Sequence, residues 1–283
     1  MLSKNKLKLI RSLARKKVRD EEGLFLAEGP KTVGELLRRF SCLLLAGTEE
    51  GLRSVPADCA DEVAVLTETE LSQASLQKTP QGVLAVFRKS HIGETSAATV
   101  ETTRPENFFS RPEKKTSAEV FSRLYEKGRR ELVLVLDGVQ DPGNLGTIVR
   151  LADWFGITTV VCSADCADLF SPKTVQSTMG AVARVQTAYV DLPAFLGGVP
   201  EGVPVYGTFL DGENIYGRRL TSAGFIVMGS EGHGISPAVE RCVTARLFIP
   251  SFPAGRPTSE SLNVAVATAV TCAEFRRQQG FTI

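Results

Sequence analysis

Apolar positions follow two different rhythms along the 283-residue chain. In the first ninety residues the short apolar runs "LFLAEG", "SCLLLAG", "EVAVL" and "GVLAVFR" alternate with helical patterns, "PKTVGELLRRF" and "ETELSQASL". They predict a small α/β domain ending near Arg88, with Pro30 opening a helix where its missing N–H costs nothing. Ahead of them "KLIRSLARKKVRDEEG" reads as a basic helix closed by a turn at Gly23. From Glu131 the strands are continuous apolar runs: "ELVLVLDG", "TTVVCS", "VPVYGTFL", "FIVMGSEG" and "RLFIP". Between or after them stand the helical segments "NLGTIVRLADWFG", "SPKTVQSTMGAV" and "SESLNVAVATAVTCAEFRRQQ". Unbroken apolar strands separated by helices predict a parallel sheet covered on both faces.

Between these blocks, "KSHIGETSAATVETTRPENFFSRPEKKTSA" is polar, punctuated by proline and without period. It reads as a linker or long surface loop, and "EVFSRLYEKGRR" as a helix leading out of it. The expected organisation is a first domain over 1–89, a linker over 90–130 and a second domain over 131–283.

Composition narrows the chemistry. The chain is 43 % hydrophobic and 23 % charged, ordinary for a soluble globular protein. No basic start leads into an apolar stretch, and "LNVAVATAV" is far below the ~20 residues of a membrane span, so a cytoplasmic protein without a membrane partner is expected. Six scattered cysteines without a C-x-x-C pair, and two histidines, argue against a metal site. The net charge of +1 conceals a block of eight basic residues, Lys4 to Arg19, with no acid before Asp20. Such a block suits a polyphosphate partner, although a solvated helix face accounts for it as well.

Three loops at the carboxyl ends of the second domain's strands carry its unusual residues, the edge where ligands bind in open parallel sheets. In "DGVQDPGNLGTIVR", Pro142 and Gly143 make the turn, Asn144 can cap the next helix, and Arg150 lies a turn and a half further on. In "MGSEGHGIS", Gly229, Gly232 and Gly234 follow a buried strand and leave backbone open to a flat ligand, with Glu231 among them. In "IPSFPAGRPTSESLNVAV", Ser259 or Ser261 is a plausible cap, and Asn263 in the first helical turn is a poor helix former, which points to an amide held for a hydrogen bond.

Asn144-x-Gly146-x-x-x-Arg150, Gly229-Ser230-Glu231-Gly232, and Ile249-Pro250 with Ser261-Leu262-Asn263-Val264 resemble the three motifs of the SpoU (TrmH) family of RNA 2′-O-methyltransferases. The likeness runs over residues 131–279, and "LFLAEGPKTV" resembles the family's N-terminal substrate-binding domain. The resemblance implies a SPOUT α/β domain with a parallel sheet and a C-terminal trefoil knot, preceded by a small α/β RNA-binding domain. It implies S-adenosylmethionine as cofactor, contacted at Thr208, Gly229, Gly232, Ile249 and Leu262. Asn144, Arg150, Glu231, Ser261 and Asn263 are the expected catalytic residues, and Lys4, Lys8, Arg11, Arg15, Lys16 and Arg150 the expected RNA contacts. A homodimer acting on RNA, ribosomal ahead of transfer RNA, is the expected assembly. A catalytically silent RNA-binding protein of the same fold is the alternative. The loop "SFPAGRPTSE" and the stretch of roughly 90–120 are longer than is common in the family.

A ribose hydroxyl is a poor nucleophile, and a sulfonium donor is already activated. The enzyme must align the two and help a proton leave, which requires neither metal nor covalent nucleophile. A guanidinium donates only, so Arg150 is expected to grip the phosphate beside the target ribose in a bidentate fork.

Overall fold

The computed structural model describes residues 2–91, 117–253 and 259–280. Along the chain run α1 (Lys4–Ser12), α2 (Lys16–Glu22), β1 (Leu24–Glu28), α3 (Pro30–Leu37), β2 (Phe40–Gly47), α4 (Glu49–Arg53), β3 (Val63–Val65), α5 (Glu68–Ala74) and β4 (Val83–His91). They are followed by α6 (Ser117–Arg130), β5 (Leu132–Asp137), α7 (Pro142–Trp154), β6 (Thr159–Cys162), α8 (Pro172–Thr178), β7 (Gln186–Tyr189) and α9 (Leu192–Gly197). The chain then forms β8 (Val205–Asn214), β9 (Gly224–Gly229), α10 (Pro237–Glu240), β10 (Ala245–Phe248) and α11 (Val264–Gln279). The polar stretch between β4 and α6 and the centre of the loop after β10 lie outside the described residues.

Met1–Glu113 and Asp168–Arg184 form one compact unit. Its sheet is mixed, in the order β1-β4-β2-β3, with β4 antiparallel to both neighbours and β2 parallel to β3. Phe25, Phe40 and Phe87 pack as a buried aromatic cluster, and Phe170 joins it with its ring 4.7 Å from that of Phe25. That contact explains why a segment distant in sequence belongs to this unit. The basic N-terminal stretch is two helices rather than one. Leu13 ends α1, and the Arg19 guanidinium donates back to the carbonyls of Leu13 at 2.7 Å and Ala14 at 2.9 Å. The same guanidinium pairs with Asp168 at 2.5 Å. Helix ends leave carbonyls without intrahelical partners, and a buried arginine here supplies them.

Lys114–Ala167 and Val185–Ile283 form the second unit. Its six strands run in the order β10-β8-β9-β5-β6-β7, and every neighbouring pair is parallel. All six residues of β5 are buried, as unbroken apolar strands require when helices cover both faces. Helix α6 lies close on β9 because residue 128 is glycine: a Cβ there would stand 2.3 Å from the Phe225 ring. Arg276 of α11 donates to the carbonyls of Phe155 at 2.7 Å and Gly156 at 3.1 Å, completing the end of α7. Strand β7 and helix α9 carry no periodicity long enough to have been read in advance.

Candidate functional site

At the carboxyl edge of the parallel sheet the ends of β5 and β9 are tied together. Asp137, the last residue of β5, accepts the Ser236 N–H at 2.7 Å, fixing the start of α10. Ser230 and Gly234 exchange two backbone hydrogen bonds, 3.0 and 2.9 Å, which close the loop after β9 into a tight turn. Gly229 has no room for a side chain, since a Cβ would lie 2.1 Å from the Gly234 carbonyl carbon. Its glycine is demanded by the loop's own backbone. At Gly232 and Gly234, by contrast, a Cβ would meet nothing within 4 Å, so this rim is open.

Helix α7 is capped three residues earlier than expected. Asp141, not Asn144, is its cap and accepts the Asn144 N–H at 2.8 Å, with Pro142 in the first turn. The Asp-Pro pair carries that signal in the sequence. Helix α11 begins later than expected. Its cap is Asn263, whose side-chain oxygen, Oδ1, accepts the N–H groups of Ala265 at 3.0 Å and Val266 at 3.2 Å; neither Ser259 nor Ser261 caps it. Asn263 therefore closes the helix with its oxygen and keeps its NH2 for other partners.

Those partners are the residues of the other two loops. The Asn263 amide donates to the Asn144 side-chain oxygen at 3.0 Å and to the Glu231 carboxylate. Asn144 in turn donates to the same Glu231 oxygen, Oε1, at 3.0 Å, and the Val264 N–H reaches it at 3.3 Å. One carboxylate oxygen thus gathers the side chains of two other loops at a helix N-terminus, where negative charge is favoured. The second oxygen, Oε2, accepts no hydrogen bond among the described residues and is free to receive a hydroxyl proton donor.

Arg150 is not part of this network. It lies six residues beyond Asn144, which on an α-helix means about 9 Å along the axis and about 120° around it. It is exposed and makes no hydrogen bond or ion pair among the described residues. Its stripe, Thr147–Arg150–Trp154, faces solvent, and Trp154 at the end of it is 82 % exposed. Ser261 is exposed and bonds to nothing described. Among the expected cofactor contacts, Thr208 donates to the Val227 carbonyl at 3.4 Å, Ile249 is half-buried just past β10, and Leu262 is exposed beside the cap of α11.

Beneath the first loop, Cys166 accepts the Val139 N–H at 3.3 Å and donates to the Leu136 carbonyl at 3.3 Å. A hydrogen bond from Cys162, helped by Ser163 and Val139, brings its thiol down to about 7, while the same contact and burial push Cys162 well up. The sulfur serves as a polar tie under the loop.

In the first unit, Lys4, Lys8 and Arg11 are exposed and recur at the spacing of one face of α1, and Arg15 and Lys16, also exposed, lie where α2 begins. Arg11 also donates to the Gln73 carbonyl at 3.3 Å, and Lys6 is held by Glu62. Arg19, counted in the basic run, is 2 % exposed and spent on structure.

Residues 131–273 match the model of the SpoU rRNA methylase family, and residues 4–85 match that of the MRM3-like substrate binding domain. The chain is 30 % identical over 275 residues to the 23S rRNA (guanosine(2553)-2′-O)-methyltransferase RlmP of Bacillus subtilis, covering 96 % of each. It resembles a Porphyromonas gingivalis protein assigned to the TrmH family of RNA methyltransferases, with a TM-score of 0.76, 42 % identity and coverage of 98 % and 99 %. An AdoMet-bound rRNA methyltransferase from Sinorhizobium meliloti is similar at a TM-score of 0.72 and 28 % identity, with coverage of 98 % and 96 %.

Proposed function

Because the chain belongs to the SpoU rRNA methylase family, we propose that it transfers a methyl group from S-adenosylmethionine to a ribose 2′-hydroxyl of RNA. The observation that carries this reading is the convergence of Asn144, Glu231 and Asn263, from three loops far apart in sequence, on one carboxylate oxygen. S-adenosylmethionine supplies an activated methyl group when bound. The chemistry of the rim fits it: the space beside Gly232 and Gly234 admits a flat base, and Ile249 and Leu262 offer apolar cover.

The chain's own residues then position the hydroxyl. Glu231 Oε2 accepts a hydrogen bond from the ribose, while Asn144 and Asn263 hold the carboxylate in place. Arg150 donates to the phosphate next to that ribose and sets the hydroxyl in line for attack. The proton passes to that phosphate or to water, since a guanidinium cannot accept it.

Arg150 stands apart from the network in its own chain, and it shares an outward stripe with the exposed Trp154. Beside it, α11 packs on α7 and exposes Val266 one turn below Asn263. A large exposed tryptophan on an otherwise well-packed helix is the kind of anchor that protein interfaces use. The functional form is a homodimer joined through α7 and α11, in which Arg150 of one copy serves the network of the other. The C-terminal segment closes the family's trefoil knot, the exposed basic stripe of α1 contacts RNA phosphates, and the substrate is ribosomal RNA. The RlmP likeness over 96 % of both chains supports the last point.

Calorimetric titration with S-adenosylmethionine tests the reading. The wild-type protein binds it, and Gly229→Trp, which forces the loop open, does not. Binding of RNA without binding of the cofactor would instead identify a silent RNA-binding relative.

A further inference from the structure

The edge strand β10 and its neighbour β8 leave the sheet in a way the reaction site does not explain. Their register jumps: Arg246 pairs with Gly207, and the next residue, Leu247, pairs with Glu213. The five skipped residues, 208–212, bulge out of the ladder. Arg246 fixes that bulge by lying 3.6 Å above the Phe209 ring and pairing with Asp211 and Glu240, each at 2.5 Å. At its tip Leu210 is 68 % exposed.

Beyond the bulge the two strands end side by side, with the Ile215 N–H on the Phe248 carbonyl at 3.0 Å. The next residue, Tyr216, is 50 % exposed in a turn closed by the Gly217 N–H on the Asn214 carbonyl at 3.1 Å. Four residues past Phe248, within about 13 Å of chain reach, Phe252 is 97 % exposed. After Pro253 the described chain resumes at Ser259 and leads into the Asn263 cap. Three protruding apolar side chains therefore border the carboxyl edge that carries the ribose-reading network, on the side away from α7.

We propose that Phe252 and Tyr216, flanked by Leu210, form a stacking shelf for unpaired nucleobases of the RNA substrate. The inference rests on the proposed ribose methylation and adds how the bases beside the target are held. A 2′-hydroxyl presented for in-line attack has to come from a nucleotide taken out of its helix, and its neighbours lose their stacking partners. Aromatic side chains replace those partners whatever the base, because every base has a flat face. The backbone bonds hold the turn that carries Tyr216, and the Arg246 clamp holds the bulge that carries Leu210, which lowers the ordering cost of binding on that side of the shelf. RNA is the occupant the observations favour over a second copy, because the shelf continues the reaction edge while Trp154 and Val266 lie on the separate α7/α11 face.

The test uses the full-length protein, tritiated S-adenosylmethionine and deproteinised RNA from cells lacking the protein. Phe252→Ala and Tyr216→Ala should each raise the RNA KM roughly 5- to 100-fold, the size of one base–aromatic stack. Phe252→Trp and Tyr216→Phe should restore it, and cofactor affinity and dimer mass should not move. Unchanged KM in both alanine variants overturns the shelf, as does a Phe252→Ala protein that becomes monomeric, which would make Phe252 a contact between copies. If the wild-type protein methylates no RNA, the reaction assignment fails separately. Fluorescence anisotropy then judges the shelf: weaker binding of a single-stranded 12-mer by the alanine variants supports it, and equal binding rejects it.

Discussion

In the N-terminal unit Arg19 is buried, and its guanidinium is divided among Asp168, Leu13 and Ala14. In the C-terminal unit Arg150 stands exposed on α7 without a hydrogen bond or ion pair among the described residues. The first is a structural arginine whose donors close helix α1 and hold the 168–184 segment. The second keeps all its donors for something outside the chain. The acids differ in the same way. Asp168 is used by its own unit, whereas Glu231 has one oxygen gathered by three donors and the other left open. A polar group without an internal partner, held beside groups that have one, is what a binding site requires.

The comparison breaks most sharply at the network. Asn263→Ala removes a helix cap and two bonds to neighbouring loops, one of them the tether on Glu231. It should lower kcat/KM for RNA about 100-fold or more, while unfolding free energy falls by only about 1 kcal/mol. Denaturant titration alongside the transfer assay separates the two effects. Asp168→Asn should show the reverse pattern. An uncompensated buried guanidinium costs about 3 kcal/mol, readable as a lower Tm, with a smaller loss of turnover in the protein that remains folded. The smallest effect belongs to the exposed basic residues of α1 and the start of α2. Lys8→Ala with Arg15→Ala should leave Tm unchanged and flatten the salt dependence of RNA binding by about 0.7–0.9 per lost phosphate contact.

Much of this was legible in the sequence. Unbroken apolar strands announced the parallel sheet, and Pro30 and Gly23 marked helix ends that the structure keeps. The three loops were found from their glycines and amides. What periodicity could not reveal was the allocation of polar groups. Asn144 looked like a helix cap and Asn263 like a residue of a first helical turn, yet Asp141 caps α7 and frees Asn144, while Asn263 caps α11 itself. Arg19 sat in a basic run and read as one more surface cation. Its partner Asp168 lies 149 residues away, so only the folded unit shows that its charge is spent. Gly229 suggested close approach of a ligand, and the loop's own backbone turned out to need it.

The proposed reaction rests on Arg150 and the Asn144–Glu231–Asn263 network acting together on one ribose. Ribose-methylation mapping tests it most directly, on RNA from cells lacking the protein after complementation with the wild type, Arg150→Lys or Arg150→Ala. The wild type should yield one 2′-O-methylated nucleotide, Arg150→Lys a strongly reduced signal because an ammonium cannot form the fork, and Arg150→Ala none. A full signal from Arg150→Ala, or no ribose methylation with the wild type, would contradict it.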